Sequence, residues 1–232
     1  MLKSAAIAIL VLGLAACGAP RTHAPVQQAV KQPSSNPPSA LLAGTYRIDT
    51  GSSELRVLVY RAGAFARLGH NHVIVNRALS GTVQLAGAAT ASSFSLSVPV
   101  AGFTVDEPQS RRAEGSDFPG EIPEDARTGT LANMLGAAVL NAAAFPFITV
   151  KSVALTGIPG SLTAVLKLNV AGHESTISAP FSLQSDPHGL TATGSLELRQ
   201  TAIGLTPYSL MLGALSVQDT MQLKFKIVVP LS

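Results

Sequence analysis

The sharpest chemical feature of the chain is His70-Asn71-His72. In a strand, residues i and i+2 share a face, so both imidazoles would reach one divalent ion at about 2.0–2.1 Å. A third ligand is required, and His173, His188 and Asp106 are donors whose placement the sequence leaves open. One reading of His70 and His72 is thus a metal- or redox-linked accessory role. The other is polar: hydrogen bonds to backbone or to a ligand's head group, or a gate that titrates near neutrality. Arginine supplies the second feature. Arg47, Arg56, Arg61, Arg67 and Arg77 crowd a stretch whose only acids are Asp49 and Glu54. Guanidinium forks match phosphate oxygens, so Arg56, Arg61 and Arg67, with His70 and His72, are candidates to hold an anionic head group. A solvated exterior is the alternative for each.

Nothing in the sequence points to catalysis. No GxSxG, HExxH, CxxC, P-loop or GxGxxG motif occurs, so nucleophile-elbow, zinc-protease and nucleotide chemistry lack their usual carriers, and no cofactor is expected. The single cysteine excludes a disulfide scaffold and a zinc site built on two or more thiolates. Arg111 and Arg112 sit among acids and form no basic stripe for nucleic acid.

The elements that position these residues follow from composition. Of 232 residues, 47% are apolar and only 12% charged, against a usual charged share of roughly 25%. With no Trp, 20 Gly and 15 Pro, the chain suits many short strands and turns better than long charged helices. The net charge of +3 is unevenly spread. Seven of the 13 acids (Asp106, Glu107, Glu114, Asp117, Glu121, Glu124 and Asp125) fall in one short segment, leaving the rest of the exported part basic.

The N-terminus reads as a targeting segment. Lys3 precedes an apolar run, Ala5 to Ala16, too short for the ~20 residues that span a bilayer. It ends in Leu14-Ala15-Ala16-Cys17, which resembles a bacterial lipoprotein processing box. Residues 1–16 are expected to be removed and the Cys17 thiol acylated, anchoring the protein in the membrane on the periplasmic face of the cell envelope. Gly18 rather than Asp after the cysteine favours the outer membrane. An acylated thioether also removes a free thiol from an oxidising compartment. Residues 17–43 form a tether with five of the 15 prolines, spanning roughly 28 Å as a flexible chain.

Beyond it, over residues 44–231, the period is two. Met221, Leu223, Phe225, Ile227 and Val229 share one face while Gln222, Lys224 and Lys226 share the other, the pattern of a half-buried antiparallel strand. Leu162–Val170 and Phe94–Val100 alternate nearly as well, and segments 46–49, 54–60, 72–85, 147–156, 175–183 and 190–199 follow. Eight or nine strands at this spacing predict an all-β barrel or sandwich. The exception is Glu121 to Asn141, predicted as a helical insertion with acids at its positive end.

Six segments in order resemble the YceI-like family of secreted bacterial proteins. They are Tyr46 to Ser53 with the Leu55/Val57/Val59 strand, Leu79 to Val83, Phe145 to Ser152, Leu166 to Thr176, Arg199 to Tyr208, and Val217 to Thr220. Two places depart: Leu68 to His72 stands where aromatic and basic residues are usual, and Tyr46 where Trp is often found. The resemblance implies a single extended, lipocalin-like antiparallel barrel whose apolar tunnel holds a long-chain isoprenoid or other lipid, without catalysis.

An eight-stranded barrel is just wide enough to be filled by side chains or to hold one small ligand. The expected inward residues are Leu55, Val57 and Val59 from one strand, Leu96 and Val98 from a second, and Leu166 and Leu168 from a third. Leu223, Phe225 and Ile227 complete the set. These are mid-sized aliphatics with one aromatic ring, so residue volume leaves both a dry packed core and an under-filled lumen open.

Overall fold

The described residues of the protein, 43–231 in a computed structural model, lie after the expected signal peptide, Cys17 and almost the whole tether, which fall outside them. Their strands are β1 (Gly44–Arg47), β2 (Glu54–Ala62), β3 (His72–Asn76), β4 (Ser80–Ala86), β5 (Ala88–Pro99) and β6 (Phe103–Val105). Helices α1 (Pro108–Ala113) and α2 (Glu124–Leu135) follow. The remainder is β7 (Phe147–Ile158), β8 (Ser161–Val170), β9 (His173–Asp186), β10 (Gly189–Arg199), β11 (Ser209–Leu210) and β12 (Leu215–Pro230).

All pair antiparallel in one sheet of order β1-β4-β5-β7-β8-β9-β10-β12-β2-β3-β6, with β11 added to β12. The fold is an all-β, lipocalin-like barrel, open between β1 and β6. It curls because β9 changes partners. Its first half pairs with β8, from Val170↔His173 to Leu162↔Phe181, and its second half with β10, from Thr193↔Ser182 to Gly189↔Asp186. On the other side the β1–β2 loop clamps the end of β12: Asp49 N–H donates to the Val228 carbonyl (2.8 Å), and Val228 N–H donates to Ser53 Oγ (3.0 Å).

The strand count is twelve, above the eight or nine expected, for local reasons. The run 72–85 is broken into β3 and β4, because Asn76 Oδ1 accepts the Ala78 N–H (2.9 Å) in an Asx turn. β6 and β11 have three and two residues, too few for a period to register. The helical insertion is also divided. The helix expected over 121–141 is α2 alone, ending where Gly136 leaves helical geometry, and a second short helix, α1, precedes it. Between β8 and β9 the two-residue turn Ala171-Gly172 has φ of 48° and 81°, the handedness that matches twisted strands.

The concave face carries the main core. The convex face of β2 and β3 is apolar as well: Leu58, Val73 and Val75 form a second buried cluster with Phe118. Strands covered on both faces need apolar residues on both, and the cover here is the acid-rich segment 106–122. Packing on the concave side is tight at Gly194, where a Cβ would stand 2.4 Å from the Phe225 ring and 2.5 Å from the Pro180 carbonyl. Gly194→Val is expected to cost about 1–3 kcal/mol by overpacking and to push the Phe225 ring away from β10. Urea denaturation reads the first and a crystal structure the second.

Candidate functional site

Inside the barrel lies an apolar cavity of about 300 Å³, roughly twice the engineered void of ~150 Å³ that stays dry and takes up benzene. The period-two register explains its wall. Directly opposed residues on paired strands share a face, and the pairs Val57↔Leu223, Leu55↔Phe225, Leu96↔Val150 and Leu168↔Val150 all present apolar side chains inward. The ten residues expected to face inward (Leu55, Val57, Val59, Leu96, Val98, Leu166, Leu168, Leu223, Phe225 and Ile227) all line this cavity. Ser92, Ser93 and Gln200 are the polar residues among its described lining.

Sequence periodicity missed the part of the wall that comes from the helix and irregular segments. Met134, Val139 and Leu140 enter from α2 and the turns after it, and Ile203 and Leu205 from the segment after β10. Their apolar character was visible, but a loop residue's direction depends on what it packs against. A second, polar recess abuts the cavity, with Val139 and Leu205 lining both. Asn141, His173 and Thr206 contribute to it. Asn141 (φ 46°) and Ala171 of the β8–β9 turn also lie on its rim.

The arginines are not gathered at the cavity. Arg56 lies between Leu55 and Val57 and so points to the convex face, where it pairs with Glu54 and Glu114 (both 2.7 Å). Arg61, at the exposed end of β2, donates from Nη1 to the Gly69 carbonyl (2.9 Å). Arg67 lies in the exposed turn Ala66–Leu68 and has no ion pair among the described residues. Of the three expected head-group arginines only Arg56 is taken up by ion pairs, because Glu114, remote in sequence, folds back onto β2.

The histidines separate for a related reason. His70 precedes β3, whose first residue is His72, so strand alternation does not govern the pair, and their rings stand 6.4 Å apart. His72 Nδ1 is hydrogen-bonded to Asp106 Oδ2 (2.6 Å). Among the described residues no group of three His, Cys, Asp or Glu could hold a metal ion. Of the donors considered for a third ligand, His188 belongs to the β9–β10 turn, which pairs at the far end of β12 from His72. Burial, then the neighbouring charges of His72, Arg111 and Arg61, hold the His70 pKa below its ordinary value.

Asp106 is the centre of a buried network that sequence reading did not foresee. At φ 53°, its Oδ1 accepts from Arg111 Nη1 (2.6 Å) and the Val73 amide (2.9 Å). Arg111, 1% exposed, also donates to the carbonyls of Asn71 (2.7 Å), Pro119 (3.1 Å) and Gly120 (3.2 Å). Burial pushes the Asp106 carboxyl up, but the hydrogen bonds from His72, Val73 and Arg111 together outweigh it and hold the pKa below the usual carboxylate range. This network fastens segment 106–122 over β2 and β3. The buried carboxylate and guanidinium are held by one another and by backbone groups.

No curated protein sequence matches the chain. Among solved structures, Burkholderia cenocepacia BcnA superposes with a TM-score of 0.59 at 16% identity, covering 78% of this chain and 98% of its own. A polyisoprenoid binding domain from Saccharophagus degradans implicated in plant cell wall breakdown superposes with a TM-score of 0.52 at 14% identity, covering 80% and 97%. At such identities the likeness is one of fold. The family model of the YceI-like domain matches residues 46–229, from the first strand to the last. With that span, this curled sheet and its apolar cavity, the chain belongs to the YceI-like domain family.

Proposed function

We propose that the protein is a non-enzymatic lipoprotein of the cell envelope whose barrel binds a long-chain lipid or polyisoprenoid, to carry, store or sequester it. The observation that carries this reading is the cavity: about 300 Å³, walled by aliphatic side chains from strands of both halves of the sheet. A hydrocarbon chain transferred there from water gains about 0.8 kcal/mol per methylene, and a wall with so few polar groups asks nothing else of it. The polyisoprenoid-binding domain of like fold supports the same ligand class. Val57, Leu168, Leu223 and the other inward residues would contact the chain, and the recess beyond Val139 and Leu205 would seat its polar end.

In this reading residues 1–16 are removed, the acylated Cys17 anchors the protein on the periplasmic face of the envelope, in the outer membrane, and the following residues tether the barrel near its source of lipid. No cofactor and no nucleic-acid partner enter. Native mass spectrometry of the full chain purified from membranes, with metal analysis of the same sample, tests it. The expected result is a co-purifying long-chain species and no stoichiometric metal. Metal without lipid, or a protein that comes out empty and takes up no added polyprenol, overturns it.

A further inference from the structure

One end of the barrel is apolar where water should meet it. Among the described residues eight large hydrophobic side chains are exposed, and five of them lie in two loops. Phe65 and Leu68 belong to the β2–β3 loop, and Leu210, Met211 and Leu212 to the β11–β12 hairpin. The loops form one body. Phe65 N–H donates to the Ala214 carbonyl (2.7 Å). At Gly63, φ 89°, a Cβ would stand 2.5 Å from that carbonyl oxygen and 2.6 Å from that of Gly213, so the two backbones touch.

The hairpin tip is built at a cost. Met211 and Leu212 have φ of 52° and 55°, two successive left-handed residues at a turn where Asn and Gly are the usual occupants. Neither side chain gains packing in return: Met211 is 66% and Leu212 108% exposed. Strain and apolar exposure at one turn, with no folded-state benefit, mark a surface with another occupant. The flanking charge says which. Arg61 lies at the end of β2 and Arg67 between Phe65 and Leu68 in the loop that follows, and neither is ion-paired among the described residues. The acid-rich segment reaches this end through the Asp117 backbone carbonyl, which accepts from Asn71 (2.8 Å).

We propose that this tip inserts into the interface of an anionic lipid bilayer, with Phe65, Leu68, Met211 and Leu212 at the acyl boundary and Arg61 and Arg67 at the head groups. Apolar side chains below a basic rim are the arrangement such an interface binds. The insertion depends on neither the acylation of Cys17 nor the occupancy of the cavity. It would hold one end of the barrel on the membrane.

The chain contains no Trp, so Leu212→Trp places a single reporter on the tip, and Val153→Trp, at an exposed position on β7, serves as control. Each is made in the full chain and mixed with phosphatidylcholine–phosphatidylglycerol vesicles. Emission from Leu212→Trp is expected to shift to the blue and to be quenched by brominated acyl chains, while Val153→Trp stays unchanged. In the full chain carrying Cys17→Ser, Met211→Asp with Leu212→Asp is expected to lower the vesicle-bound fraction at least about tenfold, the loss of two buried side chains. Arg61→Gln with Arg67→Gln is expected to erase the preference for phosphatidylglycerol over pure phosphatidylcholine. An unshifted Leu212→Trp, or equal quenching of both reporters, overturns the proposal. So does a blue shift that rises with protein concentration without vesicles, which would make the tip a contact between copies of the chain. Retention of lipid by the barrel is read separately by mass spectrometry, so neither result stands in for the other.

Discussion

Ala164→Phe together with Ala192→Phe is expected to strip the barrel of its lipid while leaving it folded. Both alanines line the cavity, from β8 and β10. Ala164 is directly opposite Ala179, so this part of the wall is low and a phenyl ring set on it extends into empty space. Overpacking a filled core costs about 1–3 kcal/mol per site; here the rings enter a void, and the cost falls below that range. The ligand loses what the rings take. Excluding three methylenes at about 0.8 kcal/mol each weakens retention roughly fifty-fold. Mass spectrometry of extracted lipid, beside a thermal melt of the same sample, checks both halves of the expectation. Full retention of lipid in a folded double variant would place the ligand somewhere other than the cavity.

The second large effect concerns stability. Arg111→Met leaves the Asp106 carboxylate buried without its cation and is expected to destabilise the barrel by about 3–5 kcal/mol, a sizeable share of the ~5–15 kcal/mol that holds a domain folded. Urea denaturation measures it. Arg111→Met with Asp106→Asn, which keeps a residue tolerant of the left-handed backbone at this position (φ 53°), is expected to recover part of the loss, since no lone charge is then buried. The same network gives the pH dependence its sign. For Asp106, Glu107 and Glu114, burial raises the pKa but hydrogen bonds from His72, Arg77 and Lys224, among others, more than offset it, so all three lie below their ordinary values. The unfolded chain therefore binds more protons than the folded one in acid. The stability these groups supply is complete above about pH 5, past the ordinary carboxylate pKa values of about 4, and falls as pH drops below. A denaturation midpoint that holds steady from pH 6 to pH 3 would contradict the assignment.

Structure alone revealed this network because its members are scattered. Asp106, Arg111, Asn71 and Pro119 belong to three loops and the last turn of α1, and no spacing rule joins them. The acids of segment 106–125 were legible only as a cluster, since charge in sequence carries no information about which strand it will cover. Their partners were in view all the same. Arg56 and Arg77 lie among few acids in sequence, and each acquires a carboxylate from far along the chain, Glu114 and Glu107 respectively. What looked like spare cation for a head group was half of a set of long-range ion pairs. The histidine pair failed as a unit for a simpler reason: alternation holds inside a strand, and β3 begins between the two rings.

The cavity wall shows the opposite case. A strand's side chains alternate by covalent geometry, so Leu55, Val57 and Val59, or Leu223, Phe225 and Ile227, had to share a face whatever the sheet became. The all-β class and the apolar inner face were thereby set by local chemistry, while the family was legible only through the resemblance of six ordered segments. Whether those faces would meet in a dry core or around a void is a question of summed volumes and strand curvature. That depended on β9 passing from β8 to β10, on the β1–β2 loop gripping β12, and on Met134, Val139 and Leu205 arriving from irregular segments. Periodicity is a local property and survives in the sequence; enclosure, ion pairing and the exposed tip at Met211 and Leu212 belong to contacts between distant residues, and only the folded chain decides them.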